Sequence, residues 1–346
     1  MTDLRDTAWR RNRTARIALW AAAWIGCALS LAAFDPSPQP HHDEAVYVRY
    51  ARFLASDGLF AWPALVRAYT EEMQRGDPVV LPPTRVLYPM AGAFLHRLTG
   101  TETHLALAQV SLGAAMLTMF VSAWLARALL APREGVAAVW LMACAPLRLM
   151  LGSKAMIDGF FALLSLVATG AAWLALTRPG ARKALAAFAL ALAALVLTKE
   201  NAAFTWLGLV VTMAAAPRLG LPRPSPGMWR TALLGPAVGA FLLTLLAGGW
   251  PPLVEAISTF VVKVRRNPFN VLTCDGPWSR VLLDLFILHP ALLLLAFAGL
   301  ISLRRDRPGA VFLSTAAVVG LAALSCVKYG ACLRYTSAAE FALRAL

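Results

Sequence analysis

Nine apolar stretches, most of them near membrane length, constrain this chain of 346 residues more than any other feature. They are Ala15–Phe34, His104–Leu130, Gly135–Leu151, Met156–Thr177, Ala184–Thr198, Ala202–Ala216, Thr231–Trp250, Val281–Leu303 and Ala310–Val327, with a tenth beginning near Tyr335. A helix needs about 20 apolar residues to cross a bilayer. Several stretches are rich in alanine and glycine, which suits close helix packing in lipid. Composition supports this. Only 14% of residues are charged, where a soluble domain carries about a quarter. So few charges could not cover the surface of a soluble protein of this size. The expected fold is therefore an all-α polytopic membrane bundle of about nine or ten transmembrane helices, forming one domain over residues 1–346.

A net charge of +14 could suggest a nucleic-acid partner, but its distribution argues against one. Arg5, Arg10, Arg11, Arg13 and Arg16 crowd the N-terminus, and the connections Pro132–Glu134, Arg178–Lys183, Pro217–Arg230 and Arg304–Pro308 carry further basic residues. Those connections alternate along the chain, so by the positive-inside rule they share the cytoplasmic side with residues 1–14. Basicity here is mainly a topology signal in a cell-membrane protein. The first stretch has a long apolar run and no convincing small-x-small site before Asp35, so it reads as a retained anchor rather than a cleaved signal.

The remaining connections then face outward, and the loop 35–103 is by far the longest. A structureless loop of that length would be unusual. Helical spacing places Val46, Tyr50, Phe53 and Leu54 on one face of 42–55, and Ala91, Phe94, Leu95 and Leu98 on another helix that Pro89 can open. Amphipathic helices flanking a membrane lie in its interface, so this loop should form a lid or platform over the bundle 104–346. Pro82-Pro83 fixes a bend just before Arg85 and Tyr88.

Ionisable groups beside apolar segments are costly unless paired or hydrated, which makes them functional candidates. Here they gather at the outward turns: Arg148, Lys154 and Asp158; Lys199 and Glu200; the loop Lys263–Asp284; and Lys328 with Arg334. The plainer reading is that Lys154 and Asp158, four apart, form a helix-surface pair, and that segment-end cations snorkel. The sharpest motif is His41-His42-Asp43-Glu44-x-x-Tyr47. Negative charge at a helix start is favourable by itself. A carboxylate at the lipid–water boundary could also act as a general base. A metal site of His41, His42 and Asp43 is an alternative, though adjacent residues seldom converge on one ion. Of five cysteines, Cys27 and Cys144 fall in membrane segments and no pair has metal-ligand spacing; Cys274, Cys326 and Cys332 fall where a disulfide is chemically allowed.

Asp43-Glu44-x-x-Tyr47, directly after the first membrane segment, resembles the first-loop motif of the GT-C superfamily of glycosyltransferases. The nearer likeness is to protein O-mannosyltransferases and the bacterial aminoarabinose transferases that act on lipid A. Pro82-Pro83-x-Arg85-x-x-Tyr88-Pro89, Ile157-Asp158-Gly159-Phe160-Phe161, Leu197-Thr198-Lys199-Glu200-Asn201, Pro277-Trp278…His289-Pro290 and Arg334-Tyr335 follow in the family's order. The resemblance implies an inverting transfer of a hexosyl or pentosyl group from a polyprenyl-phosphate sugar to a hydroxyl acceptor at the outer face. It makes Asp43 the base and Arg85, Lys199 and Arg334 the cations for the lipid phosphate. Glu44, Tyr47 and Tyr88 would help hold phosphate or sugar, and Asp158 would hold a loop or bind acceptor. No cofactor is required, with a divalent metal left open. Relatives usually carry more helices and often a soluble C-terminal domain, and some have lysine where Arg85 stands. The rival reading is a transporter or flippase of an amphiphilic substrate, which should place charge or broken helices at mid-membrane.

Overall fold

In the computed structural model, residues 8–36, 39–76, 81–178, 180–267, 271–272, 274–327 and 332–346 are described, and among them there is no strand. Helices α1 (Arg13–Ala32), α5 (Thr103–Leu129), α8 (Ile157–Thr177), α11 (Pro226–Leu246) and α15 (Pro308–Ser325) are long and apolar enough to cross a membrane. Two further stretches are bent pairs. α6 (Pro132–Ala143) and α7 (Pro146–Ser153) meet at 46°, and α13 (Arg280–Leu288) and α14 (Pro290–Ile301) at 119°, with Pro146 and Pro290 opening the second helix of each pair. Proline removes a backbone donor and disfavours helix in the residue before it. The last two stretches form shorter helices, α9 (Arg182–Thr198) and α10 (Ala202–Ala215). Among the described residues, five helices thus have spanning length, or up to seven if each bent pair counts once, where the sequence suggested nine or ten. No tenth span starts at Tyr335: that stretch is a 3-10 turn, Leu333–Ala339, followed by the short α16 (Glu340–Ala345), which packs on α6, α14 and α15.

Small residues set the close contacts. Gly235 and Gly239, one turn apart on α11, lie against the Ala189 and Ala193 carbonyls of α9. A Cβ at Gly239 would stand 2.7 Å from the Ala193 oxygen. That proximity requires glycine, as in other small-x-x-x-small membrane contacts.

The long first loop is built onto the bundle. α2 (His42–Ser56) begins with Asp43 and Glu44 in its first turn and buries Val46, Tyr47, Tyr50 and Leu54. α4 (Leu87–Thr99) buries Tyr88, Pro89, Gly92 and Ala93, while Phe94 and Leu98 of its sequence-predicted stripe are exposed, as suits an interfacial helix. The loop carries a third helix that the sequence reading left as connection, α3 (Trp62–Gln74), opened by Pro63 and burying Leu65, Val66, Tyr69 and Met73. These helices share an apolar cluster with Leu107 and Ala108 of α5, Ala155, Ile157 and Leu243. Beyond α11 the chain forms α12 (Trp250–Arg266), also unforeseen, which packs on α3.

Candidate active site

Where the first loop meets the ends of α7, α8 and α9, the buried charges converge. Glu44 organises the entry to α2. Its Oε2 accepts from the His41 amide at 2.8 Å and its Oε1 accepts from the Ala155 amide at 2.8 Å, joining α2 to the α7–α8 turn. Glu44 is fully buried, and its neighbour Asp43 is half-buried. Asp43 Oδ2 meets Arg334 Nη1 at 2.5 Å. Arg334 Nε lies 3.9 Å from Asp158 Oδ2, and the other oxygen of Asp158 contacts Lys199 Nζ directly. Alternating charge thus runs Asp43, Arg334, Asp158, Lys199, with Lys199 Nζ 4.1 Å above the Tyr335 ring. Burial opposes the charge on Arg334, but Asp158 and Asp43 outweigh it and hold its pKa above that of an ordinary arginine.

A second cluster lies behind the first. Arg85 donates from Nε and Nη2 to Glu200 at 2.9–3.2 Å and from Nη1 to the Tyr47 hydroxyl at 2.7 Å. Thr84 Oγ1 donates to Glu200 at 3.0 Å. The chain is bent to allow this. The Tyr50 hydroxyl donates to Leu81 O and Trp62 Nε1 to Pro83 O, clamping the Pro82-Pro83 turn. The Val86 amide then donates to Leu197 O, seating Arg85 beside Glu200. Burial pushes the Tyr47 phenol up, so it stays protonated. Tyr88 packs edge-on against Tyr47, with its hydroxyl bonded to Ser111 and Leu107 O.

A cavity of about 790 Å³ opens beside the first cluster. Asp43, Glu44 and Arg334 line it, together with His41, His42 and Lys154. Tyr47, Arg85, Tyr88, Asp158 and Lys199 stand behind that wall, each less than 5% exposed. The predicted site residues therefore gather in one region but form two layers. In this structure Arg85 and Lys199 are engaged with Glu200 and Asp158 rather than turned to the cavity. Lys154 is not the helix partner of Asp158 that its spacing allowed, because the break between α7 and α8 separates them. It caps α7, lines the cavity, and has no ion pair among the described residues. Among the described residues, no group of three or more His, Cys, Asp and Glu side chains is placed to hold a metal ion, so His41, His42 and Asp43 share a wall without forming a ligand set. Lys328 lies outside the described residues. The sequence reading missed α12, which supplies Phe260 and Val264 to the opposite wall; its strong amphipathic pattern was the available signal.

No protein-family model and no curated protein matches this sequence. Solved structures do resemble it. ArnT from Cupriavidus metallidurans, in a crystal structure bound to undecaprenyl phosphate, matches at a TM-score of 0.57 and 16% identity over 95% of this chain and 59% of its own. The archaeal oligosaccharyltransferase AglB from Archaeoglobus fulgidus, in complex with an inhibitory peptide and a dolichol-phosphate, matches at 0.57 and 15% identity over 97% of this chain and 50% of its own. This chain thus spans between half and three-fifths of those proteins. At such identities the likeness shows the fold alone, and that fold, shared with ArnT and AglB, is the one the sequence motifs pointed to.

Proposed function

We propose that this protein transfers a sugar from a polyprenyl-phosphate-linked donor to a hydroxyl acceptor, with Asp43 as general base, at the outer face of a cell membrane whose cytoplasmic side holds the N-terminus. The observation that carries this reading is the meeting of Asp43 and Arg334 on the wall of a large cavity that Lys154, which has no ion pair among the described residues, also lines. A leaving lipid phosphate needs cations within hydrogen-bond reach, and charge-assisted bonds to phosphate are the strong ones. Arg334 and Lys154 can supply them there. The resemblance assigned this role to Arg85 and Lys199 as well; their buried positions suit them better to fixing the wall that Arg334 leans on.

In the reaction, Asp43 takes the proton of the acceptor hydroxyl as that oxygen bonds to the anomeric carbon. The bond from this carbon to the phosphate oxygen breaks, and the lipid phosphate leaves with the electron pair. Attack opposite the leaving group inverts the centre. For Asp43 to act, Arg334 must first yield. A donor phosphate competes with Asp43 for the guanidinium, so donor binding frees the base at the moment it is needed.

The test is transfer by purified protein in lipid nanodiscs, using labelled polyprenyl-phosphate sugars with cell-envelope extract as acceptor. Wild type and Asp43→Asn are compared at equal folded yield. Carrier consumption that vanishes in the variant supports the reading; carriers left intact by both would sink it.

A further inference from the structure

Besides Asp43 and Glu44, the cavity is lined by a third carboxylate, Asp284 of α13, whose side chain is a quarter exposed. Val281 and Leu285, on the buried face of the same helix, pack with Leu333, which fixes α13 to the segment that carries Arg334. The ion-pair partner of Asp284 is Arg280, one turn earlier, with Nε 3.7 Å from Oδ2. That separation supplies a counter-charge but is too long for a hydrogen bond. Arg280 Nη1 is meanwhile given to the Leu272 and Asp275 carbonyls, at 3.3 and 3.0 Å. Among the described residues Asp284 accepts no hydrogen bond. Glu44 differs, since backbone amides take both of its oxygens.

On the donor reading, on which this inference rests, Arg334 and Lys154 take the lipid phosphate and Asp43 takes the acceptor proton. The polar edge of the sugar is then left to be held. The cavity of about 790 Å³ has room for it, falling within the roughly 300–1,000 Å³ of small-molecule sites. The geometry points to Asp284 as the residue that binds the donor sugar, its two oxygens accepting from two neighbouring ring hydroxyls. Arg280 already counters its charge, so the carboxylate lacks hydrogen-bond donors rather than a cation. Hydroxyl groups supply donors without charge, and their bonds to a carboxylate are the stronger, charge-assisted kind. Phe260 and Val264 add apolar surface to the same cavity for the C–H faces of the ring. The substrate class that follows is a neutral sugar with adjacent free hydroxyls. An acidic sugar would set its own carboxylate against Asp284 and is disfavoured.

The test is binding of three labelled lipids by full-length protein in nanodiscs: bare polyprenyl phosphate, the same lipid bearing glucose, and the same lipid bearing glucuronic acid. Wild type, Asp284→Ala and Asp284→Asn are compared. In Asp284→Ala, affinity for the glucosyl lipid should fall about ten-fold or more, the weight of a hydrogen bond to a charged group, while the bare phosphate binds as before. Asp284→Asn should bind the glucuronosyl lipid more tightly than wild type does, because a like charge is gone. A role confined to folding would instead weaken all three lipids together. Equal losses across the lipids, an unchanged glucosyl affinity in Asp284→Ala, or no gain for the glucuronosyl lipid in Asp284→Asn overturns the assignment of Asp284 and leaves the donor reading standing. A wild type that binds neither the bare nor the glucosyl lipid rejects the donor reading, and the sugar contact with it.

Discussion

Arg334 Nη1 stands 2.5 Å from Asp43 Oδ2, joining residues from opposite ends of the chain across one cavity wall. The carboxylate proposed as base and the cation proposed for phosphate therefore neutralise each other until a substrate intervenes. Arg334 is also near Asp158, so loosening its hold on Asp43 does not leave it without a counter-charge. Two carboxylates sharing one guanidinium is an arrangement in which an incoming phosphate can displace one partner at modest cost.

Asp43→Asn separates the two roles. Transfer should fall roughly a hundred- to ten-thousand-fold, the usual contribution of a general base. Donor affinity should hold or tighten, because Arg334 loses a competitor. Turnover and binding of a labelled polyprenyl-phosphate sugar, measured on the same preparation, check both. Weaker donor binding would mean that Asp43 helps hold the donor.

Lys154→Ala should spare the fold and weaken the donor. The side chain faces the cavity without an ion pair among the described residues, so its removal strands no buried charge. Losing one charge-assisted contact to phosphate corresponds to about a ten-fold rise in donor KM or more. An unchanged KM would remove Lys154 from the phosphate site.

Arg85 should behave oppositely. Arg85→Ala leaves Glu200 and the Tyr47 hydroxyl without their shared donor. Breaking a buried pair costs about 3–5 kcal/mol; Glu200 is partly exposed, which points to the lower end, about 3 kcal/mol on the same scale. A lower melting temperature in detergent is the expected readout, with Arg85→Met/Glu200→Gln recovering part of the loss. If Arg85→Ala melts like wild type while donor KM rises, Arg85 meets the substrate directly.

The contrast between Lys154 and Arg85 marks how far the sequence was legible. Apolar runs located the helices, because membrane burial imposes a length that composition reveals. Turns between apolar segments announced the charged cluster, because charges at segment ends must be paired or hydrated. Which charge pairs with which was not readable. Lys154 and Asp158 sit four apart, yet α7 ends at Ser153, Lys154 is extended and α8 begins only at Ile157, so their spacing carries no helix geometry. Asp158 reaches Lys199 and Arg334 instead, contacts set by helix packing over long sequence separations. α3 and α12 went unread because each is amphipathic and too polar to stand out in a search for apolar runs, although Pro63 and Pro251 in their first turns are ordinary helix openers.

The seam between α9 and α11 offers a test of the bundle itself. At Gly239 an added Cβ would meet Ala193 O at 2.7 Å and Val196 Cβ at 2.9 Å, and the first of these is backbone that cannot turn aside. Gly239→Val must push the helices apart, an overpacking cost of about 1–3 kcal/mol, and Gly235→Val should behave alike, since Ala189 O lies 2.9 Å from its Cβ position. Gly113, in the middle of α5, has open space around it. Gly113→Ala should be neutral or stabilising by up to about 1 kcal/mol, from helix propensity alone. Melting temperature and monodisperse yield in detergent distinguish the sites. Loss at Gly235 and Gly239 with none at Gly113 is expected; a Gly239→Val protein as stable as wild type would show that α9 and α11 are not in this register.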